Sequence, residues 1–178
     1  TILLVVFITN AINLIDGIDG LASSICIVAL GVFGLIFLFD RMRILALLDF
    51  TRDGVLIPIN KYNVFGNAER GKKIFMGDTG SLTLGYILSF LVIQYCMYEG
   101  YKTEPGYCGS INVALSILLV PCLDVVRVVI GRLKRHKSPF LPDKTHIHHK
   151  FMAMGFSPRR SLIFIQTISL TFIACTAL

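Results

Sequence analysis

Long apolar runs constrain this chain more than any other feature. They cover Thr1 to Ile15, Leu21 to Phe39, Leu82 to Tyr98, Ile111 to Ile130 and Leu162 to Leu178. Runs of about 17 to 20 residues are long enough to cross a hydrocarbon core as helices. No water is present there to satisfy backbone N–H and C=O groups, so a single run must satisfy them within itself. Composition agrees: 54% of the residues are hydrophobic, 16% are charged and the mean hydropathy is +0.73, against roughly 25% charged residues in an ordinary soluble domain. The expected fold is all-α, a polytopic transmembrane helical bundle, with residues 1–178 forming one integral membrane domain. The first and last runs look clipped, and Thr1 opens into an apolar stretch without a basic flank. The sequence therefore reads as the C-terminal part of a longer protein.

Charge sets the expected orientation. The connection from Gly131 to Lys150 carries Arg132, Lys134, Arg135, Lys137, Lys144 and Lys150 against the single Asp143, and Arg159 and Arg160 follow. The positive-inside rule puts that face in the cytoplasm. The loop from Glu99 to Ser110 fits the outer side, which returns Gly66 to Thr79 to the cytoplasm. A basic surface at a membrane suits acidic headgroups or a phosphorylated substrate; nucleic acid is not expected as a partner. Five scattered cysteines without a C-x-x-C pair imply no cysteine metal site, although Cys96 and Cys108 flank one loop and could pair.

One segment resists the scheme. Arg43 to Phe65 mixes Arg43, Asp49, Arg52, Asp53 and Lys61 with apolar residues. Each charge near a bilayer centre costs about 2.5 to 3.5 kcal/mol on an insertion scale. Such a segment could be buried against other helices, run as two short pieces around Gly54 and Pro58, or be locally damaged.

Four polar constellations interrupt the apolar pattern. In "TNAINLIDGIDGLA", Asn10, Asn13 and Asp16 recur every three residues, and Asp19 follows across a glycine-bearing turn. Turn and cap preferences account for Asp16 and Asp19, but less well for Asn13 inside an apolar run. In "FMGDTGS", Asp78 either caps a helix beginning near Thr79 or holds a divalent cation where helix N–H groups also suit phosphate oxygens. "PDKTHIHHK" gathers His146, His148 and His149 beside Lys144 and Lys150. Imidazoles there can donate to phosphate, exchange protons or bind metal. Neither a regular strand nor a helix would turn all three the same way. In "PCLDVVRVV", Asp124 and Arg127 stand three apart on one apolar helix, where a mutually neutralising ion pair is favoured over a direct substrate contact.

Together with their order along the chain, "TNAINLIDGIDGLA", "IFMGDTGSLTLG", "DVVRVVIGR" and "PDKTHIHHKFMAMGFS" resemble the polyprenyl-phosphate N-acetylhexosamine-1-phosphate transferase family. The H-x-H-H loop is more similar to the bacterial undecaprenyl-phosphate GlcNAc-1-phosphate transferase branch than to phospho-MurNAc-pentapeptide transferase, the alternative. The resemblance implies a phospho-sugar transferase of the bacterial inner membrane, with its active site facing the cytoplasm, that initiates cell-envelope polysaccharide synthesis. It would move an N-acetylhexosamine-1-phosphate from a UDP-N-acetylhexosamine to undecaprenyl phosphate and release UMP. Mg2+ is the implied cofactor, with Mn2+ as a substitute, and a homodimer is compatible with the resemblance. By correspondence of motifs, Asp78 and Asn13 would hold the metal. Asp16, Asp78, His146, His148 and His149 would form the catalytic set, and Asn13, Asp19, Lys144 and Arg127 would contact substrate. The family's adjacent aspartate pair has no counterpart in these residues, so this part of the chain is not expected to turn over alone. An inactive membrane scaffold and a metal transporter are the competing classes; a basic histidine loop repels cations and counts against the second.

Overall fold

The computed structural model describes residues 1–67, 69–102, 109–136, 138 and 146–177, and every regular element among them is an α-helix. In chain order these are α1 (Ile2–Ile15), α2 (Leu21–Phe39), α3 (Arg43–Phe65), α4 (Gly77–Lys102), α5 (Gly109–Ile117), α6 (Leu119–Leu133), α7 (Ile147–Ala153) and α8 (Pro158–Ala177). Leu21–Phe39 and Gly77–Tyr98 are each long and apolar enough to cross a membrane. The protein is a membrane-spanning helical bundle.

Packing between these helices rests on close contact and internal polar bonds, because lipid offers no hydrophobic penalty for separating them. The core runs through Ile8 and Ile12 of α1, Phe33 and Phe37 of α2, Leu88 and Leu91 of α4, and the α5–α6 junction at Ile117 and Leu118. Gly85 lets α4 lie directly on the backbone of Thr9, where a Cβ would clash. A smaller cluster of Ile15, Leu21, Ile25, Val120 and Ile165 supports the loop between α1 and α2 from below.

Two expectations are corrected. The run from Ile111 to Ile130 is not one straight span; α5 and α6 meet at an angle of 80°. The cause is Pro121: its ring crowds the carbonyl of Ile117, and it has no N–H to bond there. The helix stops at Ile117 and restarts at Leu119, which puts the proline in a first turn where its missing donor has no helical partner anyway.

Nor does the charged segment divide at Gly54 and Pro58, since α3 is a single helix through both. Its charges are accommodated by turning inward. Ala46, Asp49, Asp53, Leu56 and Asn63 lie buried on one face of α3, which packs on α2. Gly34 admits Asp49 and the Phe50 ring, and Gly31 admits Asp53. Arg52 pairs with Asp49 at 3.2 Å, and Ser23 donates to Asn60 at 2.8 Å. Of the three readings of this segment, burial against another helix is the one the structure bears out.

Candidate functional site

The polar motifs converge at one end of the bundle. Asn13, in the last turn of α1, donates through Nδ2 to Ser81 Oγ at 2.9 Å and to Asp78 Oδ1 at 3.3 Å. These bonds join residues 65 and 68 positions apart and tie the end of α1 to the start of α4. The chain then turns through Asp16 to Gly20. Gly20 has φ +80°, and a Cβ there would strike Val64. Gly77 enters α4 with φ +66°. Helix α4 thus begins two residues before Thr79, and Asp78 lies inside its first turn rather than capping it. The glycine makes the bend without a side-chain cap, which leaves the carboxylate for other partners.

Asp16 is half-buried at the end of α1. Burial raises its carboxyl to about 6, helped by the negative charges of Asp78 and Asp19. Asp19 is itself paired with Lys73. Among the described residues no protein cation pairs with Asp16 or Asp78. Both line a cavity of about 420 Å³ with Asp19, Asn63 and the Gly17 and Gly77 backbones. Asn63 is held in place by donating to the Ile74 carbonyl at 2.7 Å.

Mutually repelling carboxylates without a positive partner fit a hard divalent cation. Among the described residues no three His, Cys, Asp or Glu side chains gather closely enough to hold a metal by themselves. Mg2+ is commonly held by one or two carboxylates, with waters and phosphate oxygens completing its shell. Asp16 and Asp78 supply such donors, with Asn13 bonded to Asp78 through its amide nitrogen.

The histidine segment docks onto this turn. His146 directly precedes α7, and His148 and His149 lie in its first turn. Because His146 is outside the helix, the three rings do not diverge as a single period would require. His146 and His148 stack with centroids 6.0 Å apart, and His148 and His149 lie 4.3 Å apart. His148 is buried against Gly17, where a Cβ would fall inside the imidazole. Burial, followed by the neighbouring His149 and His146, lowers the His148 imidazole to about 4. At neutral pH it is an uncharged ring.

Asp124 and Arg127 form the expected ion pair, at 2.6 Å. The same carboxylate also reaches His146 Nδ1 at 2.8 Å and the Ile147 N–H at 3.0 Å. Arg127, Lys134, Arg135 and Lys150 line a basic recess of about 400 Å³. On another side of α6, His146, Asn10 and Arg132 close an otherwise apolar groove of about 320 Å³ against α1. Lys144 and Cys108 lie outside the described residues.

Sequence reasoning brought Asn13, Asp16, Asp19, Asp78 and the histidines to one face. It missed Ser81, Asn63 and Lys73, and it did not foresee the contact of Gly17 with His148. Ser81 stands in the quoted glycine motif and was the most accessible of these. Asn63 carried no signal beyond being polar in a segment difficult to place.

The model of glycosyl transferase family 4 matches residues 1–96, which contain Asn13, Asp16 and Asp78. The undecaprenyl-phosphate alpha-N-acetylglucosaminyl 1-phosphate transferase of Escherichia coli K12 is 33% identical over 156 residues, covering 88% of this chain and 41% of that protein. The Yersinia pestis protein of the same name shows the same identity and coverage. The probable undecaprenyl-phosphate N-acetylglucosaminyl 1-phosphate transferase of Bacillus subtilis is 37% identical over 172 residues, covering 97% of this chain and 45% of that protein. The chain thus spans less than half the length of the curated relatives it matches.

Proposed function

The chain belongs to glycosyl transferase family 4, and from that premise we propose that the complete protein transfers an N-acetylhexosamine-1-phosphate, GlcNAc-1-phosphate foremost, from its UDP-sugar to undecaprenyl phosphate, releasing UMP. The observation that carries the reading is the meeting of Asp16 and Asp78 at one cavity, with Asn13 bonded to Asp78 and His148 packed on the turn that forms its wall. The active site faces the cytoplasm of the bacterial inner membrane, in keeping with the basic charge between Gly131 and Lys150.

The reaction forms a bond between an acceptor phosphate oxygen and the sugar-bearing phosphorus of the donor, and breaks that phosphorus's bond to UMP. An acceptor that is already a phosphate monoester needs little deprotonation at pH 7. The main obstacle is the approach of two anions, so positioning and charge stabilisation dominate. Asp16 and Asp78 would hold Mg2+, or Mn2+ in its place, with Asn13; when bound, the ion neutralises phosphate charge and stabilises the departing UMP. Ser81 fixes the Asn13 amide. Arg127 and Lys150, with Lys144 of the same sequence motif as Lys150, supply positive charge to the phosphates. His146 and His149 meet the donor diphosphate, and His148 seats α7 on the Gly17 turn as a neutral ring. The apolar groove between α1 and α6, closed by Asn10, Arg132 and His146, has the polarity of a prenyl chain ending in a phosphate.

UMP release in membranes containing the complete protein tests this reading. UDP-GlcNAc with undecaprenyl phosphate should give Mg2+-dependent release. Equal or greater release with UDP-MurNAc-pentapeptide would move the assignment to the peptidoglycan branch. No release with either donor would leave a membrane scaffold.

A further inference from the structure

The side chain that most exceeds its expected role is Asp124. It sits on α6, an otherwise apolar helix, and is 4% exposed. A buried carboxylate costs several kcal/mol unless donors satisfy it, and here three do. Oδ1 accepts from Arg127 at 2.6 Å and from the Ile147 backbone N–H at 3.0 Å. Oδ2 is committed to His146 Nδ1, at 2.8 Å and across 22 residues. The two oxygens therefore have different roles. The first neutralises Arg127 and ties down the opening N–H of α7, as a helix-starting carboxylate does. Among the described residues the second is bonded only to an imidazole.

We propose, resting on the transferase reading above, that Asp124 is a positioning residue for the reaction: one oxygen starts the histidine helix, and the other fixes His146 with its proton on Nδ1, leaving Nε2 as the ring nitrogen that meets the substrate. An ionised carboxylate only accepts hydrogen bonds, so Nδ1 must be the donor whether the ring is neutral or charged. His146 is 7% exposed and stacked on His148, so it cannot swing its other nitrogen into the bond without breaking that stack. The recognised ligand chemistry is the anionic diphosphate of the donor. Tautomer and ring direction are what the pair controls.

Asp124→Asn separates this role from helix capping. An asparagine oxygen still accepts from Ile147 N–H and Arg127, and asparagine is itself a good cap. Its amide nitrogen, however, would face Nδ1 and force that atom to accept, which moves the ring proton to Nε2. In the complete protein, Asp124→Asn should keep wild-type abundance, lower the melting temperature only modestly as Arg127 loses its counter-charge, and lower kcat about 100-fold, the direction a wrong tautomer takes in other histidine-dependent enzymes. KM for the UDP-sugar should stay within about threefold, since the effect falls on turnover. Nitrogen-15 spectra of labelled histidine should show the His146 proton on Nδ1 in the wild type and on Nε2 in the variant. In a His146→Ala background, Asp124→Asn should cost nothing further.

Wild-type turnover of Asp124→Asn beside an inactive His146→Ala would overturn the positioning role and leave the transferase reading standing. So would a further 100-fold loss in the His146→Ala background, which would assign Asp124 to structure alone. Should His146→Ala turn over normally, the histidine part of the functional reading fails, and with it a positioning role exercised through that ring. An unchanged nitrogen-15 signature in Asp124→Asn removes the tautomer claim on its own.

Discussion

Two pairs of carboxylates lie in this apolar chain under opposite conditions. Asp49 and Asp53, one helical turn apart on α3, are buried on the face that packs against α2, with glycines 31 and 34 making room for them. Asp49 has Arg52 from its own helix as a partner. Asp16, just past α1, and Asp78, in the first turn of α4, border a shared cavity; the Asn13 amide bonds to Asp78, and the histidine-bearing α7 packs on the neighbouring Gly17. In sequence the α3 pair is the more conspicuous anomaly, because it breaks a helix-long apolar pattern. In three dimensions it is the less capable of chemistry. A costly carboxylate points to catalysis when separate elements open it to a ligand; one enclosed between two helices is an issue of packing.

The sharpest way to break this contrast is Asp78→Asn. Turnover of the complete protein should fall at least about 1000-fold, on the scale of losing a central electrostatic group, while membrane insertion is unchanged. UMP release near the wild-type rate would erase the distinction between the two pairs. Next is Gly17→Ala, whose methyl group would occupy the position of the His148 ring. Displacing α7 should lower turnover by about 10- to 100-fold, as a misplacement of roughly an ångström can, and overpacking should cost about 1 to 3 kcal/mol of stability.

A smaller effect comes from pH. The folded His148 imidazole sits at about 4, below its ordinary 6.5. As pH falls, the unfolded chain therefore takes up that proton first. The stability in question is fully present above about pH 6.5 and is lost as pH falls towards 4. Between pH 7 and pH 5 the loss should be about 2 kcal/mol, read as a drop in melting temperature in detergent that His148→Gln removes. The smallest effect belongs to α3. Asp53→Leu should leave turnover within about threefold and stability unchanged or raised, because well-packed apolar groups often replace buried charge without loss. A large loss of activity would bring α3 into the functional account.

The helices were legible wherever the apolar run was long and free of proline. Leu21 to Phe39 is read at both ends, because Asp19-Gly20 before it and Asp40 after it mark its limits. The break at Leu118 was hidden by an unbroken apolar run, although Pro121 carried the cause. The course of α3 was not legible because a single sequence does not say which neighbour takes up inward charges. At the site, residue types and order gave the polar faces, while the joining contacts escaped. Asn13 to Ser81, Gly17 to His148 and Asp124 to His146 are long-range contacts that follow from how the helices pack, not from any local pattern.

The docking of the histidine helix on the Gly17 turn is the most direct point at which to test the whole arrangement. With native cysteines replaced by alanine, Gly17→Cys paired with His148→Cys should be joined by a short thiol-specific crosslinker of the length of the lost imidazole, since a Cβ at Gly17 would lie 2.1 Å from Nε2 at the tip of the His148 ring. Mass spectrometry should recover the two segments as one linked peptide. Two thiols that are each modified by the crosslinker but never joined by it would contradict a shared site.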